Sequence, residues 1–406
     1  MTYAVNKHQY IHLMRIAIIG AGAAGCFCAV NLKRRFPGAE VHVYESGTRP
    51  LAKVAVTGGG RCNLTNSFHG VRSMESVYPR GARLMKRALK VFSHNDTMRW
   101  FEEEGVRLTV QDDNCVFPVS QDAMEIVLTL TRLMDSLGVR LTLNHRVSDI
   151  RSIMAEYDRV VVTTGGAPKA SGLAFLEPLG LETVASVPAL FTFNVNDKSL
   201  HELMGTVVEH TTCKLCGTKM QAAGPLLITH WGLSGPAILR LSAYGARLLA
   251  EKGYEADVCI NWLGESNAQE TVGTLHAYRD ENPLKQLSSV YPDVLNQRLW
   301  CWLLQKAGLS PDRRWQDIGE KQMNRLAAIL TSDMLHISGR GTFKEEFVTC
   351  GGIALGNVNP GTLEARQYPG LYFAGEVLDV DAVTGGFNLQ AAWTMGYIVA
   401  QSITAD

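Results

Sequence analysis

The apolar positions of this chain change period several times, and each change marks a different kind of element. Residues 15–20 read RIAIIG, a β-branched run that predicts a strand buried in a parallel sheet. A glycine-rich turn follows, then the small-residue run AAGCFCAVNLKRRF, which predicts a helix ending before Pro37 and Gly38. The segment EVHVYES alternates with period two and ends on Glu45, completing a β-α-β unit. Two stretches at helical period come next, GARLMKRALKVFSHNDTMRWFEEEG and SQDAMEIVLTLTRLMDSLG, each read as an amphipathic helix closed by glycine. Short strands are expected around VRLTLNHRV and DRVVVTTGG.

From about 187 to 347 the pattern becomes alternating. LFTFNV, TVVEHTTCKLCG and KMQAAGPLLITH predict antiparallel strands, and helical stretches follow near 267–278, 291–308 and 312–330. PGLYFAGEV then predicts a buried strand and NLQAAWTMGYIVAQSI a closing helix. This order implies an α/β domain that the last sixty or so residues complete, interrupted by an inserted barrel-like sheet carrying a small helical bundle. The expected division is an extension at 1–13, the first part of the α/β domain at 14–189, a substrate-side insertion at 190–345 and a completing part at 346–406.

Composition narrows the classes. The chain has 406 residues, 46% of them apolar and 19% charged, which suits a packed core. Lys plus Arg and Asp plus Glu stand at 39 each, so no electrostatic footprint for nucleic acid or an acidic membrane is visible and neither partner is expected. No apolar run is long enough to span a bilayer, and the first thirteen residues lack the apolar stretch of a signal peptide. Nine scattered cysteines, an odd number, suit reduced thiols in a cytoplasm. A soluble cytoplasmic protein is expected; oligomeric state has no signature here.

Four constellations carry candidate chemistry. Gly20, Gly22 and Gly25 form GAGAAG between strand and helix, with Ala23 and Ala24 opening the helix. The first glycine permits the tight turn, the second lets backbone amides approach a pyrophosphate, and the third lets helix and strand pack closely. Glu45 lies at the end of the second strand, where a carboxylate accepts hydrogen bonds from a ribose and disfavours a 2′-phosphate. The alternative is a plain tight turn. The second constellation, VAVTGGGRCNLTN over 54–66, contains Gly60, Arg61, Cys62 and Asn63 in a stretch too rich in glycine to hold a helix or strand cheaply. We expect it to wrap a cofactor rather than to be a surface loop. The third is Thr164 and Gly165 at the end of VVVTTGG. The fourth joins Gly375 and Glu376 to the turn of Gly386, Asn388 and Leu389, where the amides of a helix N-terminus can face a flavin ring.

TGGGRCNLTN, LLITHWGLSGPAIL and GLYFAGEVLDVDAVTGGFNLQAAWTMG together resemble the BaiN/YhiN family of bacterial flavoproteins, also called aminoacetone-oxidase-like. The resemblance runs from about Met14 to the C-terminus. It implies FAD bound to a fold of the two-dinucleotide-binding-domain type with an inserted β-barrel and helical bundle; no attachment residue is evident in the sequence, so non-covalent binding is expected. It also implies cofactor contacts from Gly20, Gly22, Ala23, Ala24, Glu45, Lys53, Arg61, Cys62, Asn63, the backbone of Val147, Gly375, Glu376, Asn388 and Leu389. It assigns no substrate.

Cys213 and Cys216 have redox-motif spacing, but they lie in an alternating segment away from any helix start, so packed or surface thiols are the favoured reading. No metal-ligand set is visible. His230, Arg340 and Arg61 are weak candidates for catalysis. A structural histidine, a turn arginine and cofactor positioning are the favoured readings of the three. The expected activity is FAD-dependent oxidoreduction of an organic small molecule, with hydride passing through flavin N5 to or from a carbon–carbon double bond. Flavin-dependent RNA modification, an oxidase and a flavin-binding sensor or scaffold stay open as alternatives. NADH or NADPH stays open as a transient electron donor.

Overall fold

A computed structural model describes residues 13–167, 169–341 and 348–404. Of the expected extension, all but Leu13 lies outside the described residues. The chain divides into two compact units, the first made of Met1–Ser186 with Thr349–Asp406 and the second of Val187–Val348.

In chain order the first unit contains β1 (Arg15–Ile19), β2 (Glu40–Tyr44), β3 (Thr65–Asn66), β4 (Leu108–Val110), β5 (Cys115–Pro118), β6 (Arg140–Thr142) and β7 (Arg159–Val162). β8 (Thr183–Ala189) leads out of it. The second unit holds β9 (Phe193–Asn194), β10 (Val207–Leu215), β11 (Gln221–Thr229), β12 (Gly232–Ser234), β13 (Glu255–Asn261) and β14 (Asp333–Arg340). β15 (Val348–Ile353) leads back and pairs with β8, and β16 (Leu371–Phe373) follows.

The central sheet of the first unit has the order β16-β7-β1-β2-β6 with every pairing parallel. The C-terminal strand thus completes a sheet begun by the first residues, as the interrupted pattern predicts. Helix α1 (Ala23–Arg35) is buried along nearly its whole length because it is covered by the closing helix Phe387–Ser402. Small residues permit this approach: a Cβ on Gly396 would lie 2.6 Å from the Ala24 carbonyl oxygen. Beside this contact Phe27 packs among Trp100, Trp393 and Phe101, with ring centroids 4.5 to 6.1 Å away.

The single helix expected over GARLMKRALKVFSHNDTMRWFEEEG is two helices, Ala82–Ala88 and His94–Glu103. The break is a capping box: the Ser93 hydroxyl accepts from the Asp96 amide, and the Asp96 carboxylate accepts from the Ser93 amide at 2.8 Å. Helical periodicity runs across such a break unchanged, so only the cap reveals it.

On β2, Val41 and Val43 are buried while His42 and Tyr44 point to the opposite face. There His42 Nδ1 meets the Tyr157 hydroxyl at 2.9 Å and Nε2 meets the Thr142 hydroxyl at 2.8 Å. Burial, with the Arg140 charge nearby, lowers the His42 pKa to about 4. The unfolded chain therefore takes up this proton below about pH 6.5 while the folded chain refuses it until about 4. Folding stability should fall as pH drops through that window. His42→Gln, which cannot take the proton, should show a smaller loss of melting temperature between pH 6.5 and 4 than the parent.

The second unit is a closed six-stranded barrel, β10-β11-β12-β9-β14-β13. Closure leaves no strand edge open. The helices Ala268–Glu281, Gln297–Lys306 and Glu320–Ser332 share its core, which includes the fully buried Trp262, Trp300 and Trp315. Lys306 pairs with the buried Asp333 carboxylate, which also accepts from the Trp262 indole at 3.1 Å. Among the described residues no helix is long and apolar enough to cross a membrane.

Candidate flavin site

The glycine motif divides its labour by packing. Gly20 has φ +107°, and a Cβ there would lie 2.5 Å from the Thr163 carbonyl oxygen. A Cβ on Gly25 would lie 2.0 Å from the Gly20 carbonyl oxygen and 2.6 Å from the Thr163 hydroxyl. Both distances are shorter than real contacts allow. Gly22 is the opposite case, with nothing within 4 Å of the Cβ position. Gly22 is also the N-cap of α1, and no side chain caps the helix. Ala23 and Ala24 open it, so its first-turn amides and the positive end of its dipole border open space.

Glu45 sits where β2 ends. One carboxylate oxygen accepts from the Ala21 amide at 2.8 Å and the other from the Gly47 amide at 2.7 Å. These bonds aim the carboxylate and leave lone pairs for ribose hydroxyls. The chain beyond β6 is tied to the same corner, with the His145 amide donating to the Glu45 carbonyl at 2.8 Å. Two residues on, Val147 is buried in irregular chain.

The stretch read as a loop at 54–66 departs from expectation at its start. Helix α2 (Ala52–Gly60) takes up Lys53 and Val54, and helical geometry fails at Thr57, Gly58 and Gly59. Gly58, Gly59 and Gly60 all have positive φ, as does Cys62 at 60°. The glycines break the helix as their backbone preference requires, but only after one turn and a half has formed. Arg61 lies over the Phe117 ring at 4.5 Å and donates to the Gly58 carbonyl at 3.2 Å. Cys62 is fully buried, and burial pushes its thiol up to about 12, so it stays protonated. The Asn63 amide group, oriented to satisfy both its atoms, donates to the Thr65 carbonyl at 3.0 Å and accepts from the Gly386 amide at 3.2 Å. Cys62 and Asn63 can thus meet a cofactor through their backbones, while their side chains hold the fold.

The other constellations converge on the same unit. Thr164 is exposed at the end of β7, and Gly165 has φ +76° with its Cβ position 3.8 Å from Glu376. Lys53 pairs with Glu376 at 3.3 Å, and Glu376 also accepts from the Thr349 amide at 2.6 Å. The Thr349 hydroxyl is buried without a partner among the described residues, which leaves a hydrogen-bonding position open here. A Cβ on Gly375, at φ +84°, would stand 3.2 Å from the Ala24 side chain. The turn at Gly386 presses on β3, where a Cβ would meet the Thr65 carbonyl oxygen at 2.2 Å. Asn388 exchanges two bonds with the Ala382 backbone, at 2.9 and 3.0 Å, so its side chain closes the loop before the helix. Leu389 lies half-buried in that helix's first turn.

Residues far apart in sequence thus gather around open backbone at Gly22 and uncapped helix starts. Donors and acceptors of the kinds that a pyrophosphate, a ribose and ribityl hydroxyls would need are present, so the residues fit FAD. Sequence reading missed Thr163, whose hydroxyl donates to the Ile19 and Gly20 carbonyls at 3.1 and 2.7 Å and fixes the glycine turn. Its only signal was its place at the end of an apolar strand. Arg80 and Asp381, described below, were missed as well.

The weak catalytic candidates outside this set belong to the second unit. His230 is exposed in the turn between β11 and β12, its ring edge-on to Trp231 at 4.3 Å. Arg340 ends β14 with its guanidinium over the Tyr254 ring at 5.1 Å.

The cysteines require one correction. Cys216 and Cys259, expected as reduced thiols, are joined as a disulfide between neighbouring strands. Spacing could not reveal this, because the pairing comes from barrel closure and not from adjacency in sequence. Cys216 lies in the turn just past β10, whereas Cys213 faces the core from within the strand, its thiol pushed up to about 12 by burial. A Cys213–Cys216 redox relay is excluded. Replacing both by serine should leave the rate of flavin reduction within about two-fold, as read by stopped-flow absorbance.

Residues 14–402 match the family described as HI0933-like protein Rossmann domain. The chain is 29% identical to the 3-dehydro-bile acid delta(4,6)-reductase of Clostridium scindens, over 96% of this chain and 98% of that protein. It is also 29% identical to the ribosomal RNA dihydrouridine synthase of Escherichia coli, over 96% and 97% respectively. A solved structure of 3-ketosteroid delta1-dehydrogenase from Sterolibacterium denitrificans is similar over 95% of this chain and 98% of that one, at 11% identity and TM-score 0.47. With the family match spanning nearly the whole sequence, the chain belongs to the HI0933-like family of FAD-binding Rossmann proteins.

Proposed function

We propose that this chain uses non-covalent FAD to saturate a carbon–carbon double bond conjugated to a carbonyl, in an organic small molecule. The observation that carries the cofactor half is the open backbone at Gly22, set at an uncapped helix start beside a carboxylate already aimed by two amides. The reaction half is supported by what the two relatives' names have in common. A bile-acid reductase and a dihydrouridine synthase both add two hydrogens across a ring double bond, one beside a ketone and one in a pyrimidine.

Bound there, FAD would supply hydride exchange at its N5. The first-turn amides of α1 would hold the pyrophosphate and Glu45 the ribose. Lys53 and Glu376 would serve the ribityl chain, and the backbone at 385–388 would favour negative charge at the pyrimidine edge of the ring. Cys62, protonated and buried, would serve neither as nucleophile nor as thiolate donor.

No second GxGxxG stands in the sequence, so a nicotinamide donor would use the acceptor's own opening in turn. Steady-state rates with NADH or NADPH should then give the parallel double-reciprocal lines of ping-pong kinetics. Intersecting lines would mean that donor and acceptor bind together.

A second reading, reduction of uridine in ribosomal RNA, is favoured by the E. coli relative at the same identity. The balanced charge of 39 basic and 39 acidic residues weighs against it. The test mixes anaerobically reduced protein with a panel of cyclic enones and, separately, with unmodified ribosomal RNA, and follows flavin reoxidation and product mass. Reoxidation by an enone at least about ten-fold faster than by oxygen, with a product two hydrogens heavier, supports the first reading. Dihydrouridine formed while every enone is inert establishes the second. Oxygen as the sole acceptor overturns both in favour of an oxidase.

A further inference from the structure

The loop between Gly375 and the closing helix carries Glu376 and the Gly385-Gly386 turn, and a strap formed by residues 77–81 clamps it. The Val383 amide donates to the Val77 carbonyl at 2.9 Å, and Arg80 and Asp381 form an antiparallel backbone bridge, so strap and loop run antiparallel. The Tyr78 hydroxyl donates to the Phe387 carbonyl at 2.9 Å, at the first residue of the helix. At Gly81 a Cβ would lie 2.6 Å from the Val380 side chain, so strap and loop touch at backbone distance. Across this contact Arg80 forks onto Asp381, its Nε donating to Oδ1 at 2.6 Å and its Nη2 to Oδ2. The Asp381 side chain is wholly buried and that of Arg80 nearly so, at 0% and 10% exposed.

A bidentate pair in such surroundings fixes orientation as well as distance, because the guanidinium and carboxylate planes must align. Burial is unfavourable for both charges, and hydrophobic residues of similar volume often give equal or greater stability. The placement of this pair therefore calls for a reason other than folding.

We propose that Arg80 and Asp381 are positioning residues for the flavin, holding the 376–386 loop in the one arrangement that presents Glu376 and the Gly385-Gly386 backbone to it. The inference rests on the FAD reading above. It makes the strap at 77–81 part of the cofactor site although neither Arg80 nor Asp381 needs to touch the cofactor.

The test removes flavin reversibly from the full-length protein and measures FAD rebinding by fluorescence quenching. Parent, Arg80→Lys, Asp381→Asn and the double variant are compared, with melting temperatures of each apoprotein. Arg80→Lys keeps the charge and loses the fork. Each single variant should weaken FAD binding at least ten-fold and shift the bound flavin's absorbance envelope, and the double should be within about two-fold of the weaker single. A merely structural pair would lower the apoprotein melting temperature and leave FAD affinity within two-fold, which overturns the proposal. Hydrogen exchange on the parent alone provides a second reading that no misfolded variant can obscure. Flavin should protect the amides of 77–83 together with those of 377–386, and protection confined to the second segment contradicts the proposal. A parent apoprotein that takes up no flavin overturns the FAD reading, and this inference falls with it. A parent that binds flavin beside variants that bind equally well overturns this inference alone.

Discussion

Gly22→Leu should give a folded, colourless protein. Nothing lies within 4 Å of the Cβ position, so the backbone accepts the side chain and the melting temperature of the apoprotein should hardly move. The leucine then fills the space over the α1 N-terminus that a pyrophosphate needs, and it removes the close approach of backbone amides to the anion. We expect FAD affinity to fall at least about a hundred-fold, a loss on the order of 3 kcal/mol. Equilibrium dialysis against FAD, with a melting curve alongside, reads both quantities. Retained affinity would mean that the cofactor does not pass this turn.

Gly25→Ala, three residues on in the same motif, should do the reverse and cost the fold. Its Cβ would sit 2.0 Å from the Gly20 carbonyl oxygen and 2.6 Å from the Thr163 hydroxyl. Neither atom can yield, because the Thr163 hydroxyl is bonded to the Ile19 and Gly20 carbonyls and Gly20 is itself wedged against the end of β7. Relief requires α1 to move off β1, breaking its contact with the closing helix. Overpacking of this kind costs about 3 kcal/mol or more. In a unit of this size that lowers the melting temperature by roughly 6–12 °C. Calorimetry of the apoprotein checks it, and an unchanged transition would show that helix and strand are not packed as described.

These contrasting outcomes mark how much of the site was legible. The sequence motif GAGAAG names all three glycines, and the turn at Gly20 and the close packing at Gly25 are visible in the crowding there, while Gly22 is left open. Motifs with fixed spacing are readable because backbone geometry ties each position to one task. Asn63 and Asn388 enter as cofactor contacts only through the family resemblance, and the structure adds what no motif shows: their side chains are bonded to Thr65, Gly386 and Ala382, which leaves their backbones to face a cofactor. Arg80 and Asp381, 301 positions apart in sequence, had no local signal at all.

The fold shows the same division. The parallel sheet and the closing helix follow from period and order. Of the barrel, β10 and β11 were visible as alternation, whereas β13 and β14 were passed over. Their pairing is set by neighbours across the barrel, and Cys259 and Met334, apolar residues on the outward side, break the expected alternation. Thr163 and Ser93 show how one hydroxyl, invisible to hydrophobic period, fixes a turn or splits a helix.

The identity and amount of flavin in the protein as purified test the placement of FAD most directly. Acid precipitation followed by chromatography and mass measurement of the supernatant should recover FAD at about one molecule per chain, with no flavin left on the precipitate. A colourless protein that takes up no added FAD, or one that releases FMN, would contradict the placement of a dinucleotide across Gly22 and Glu45.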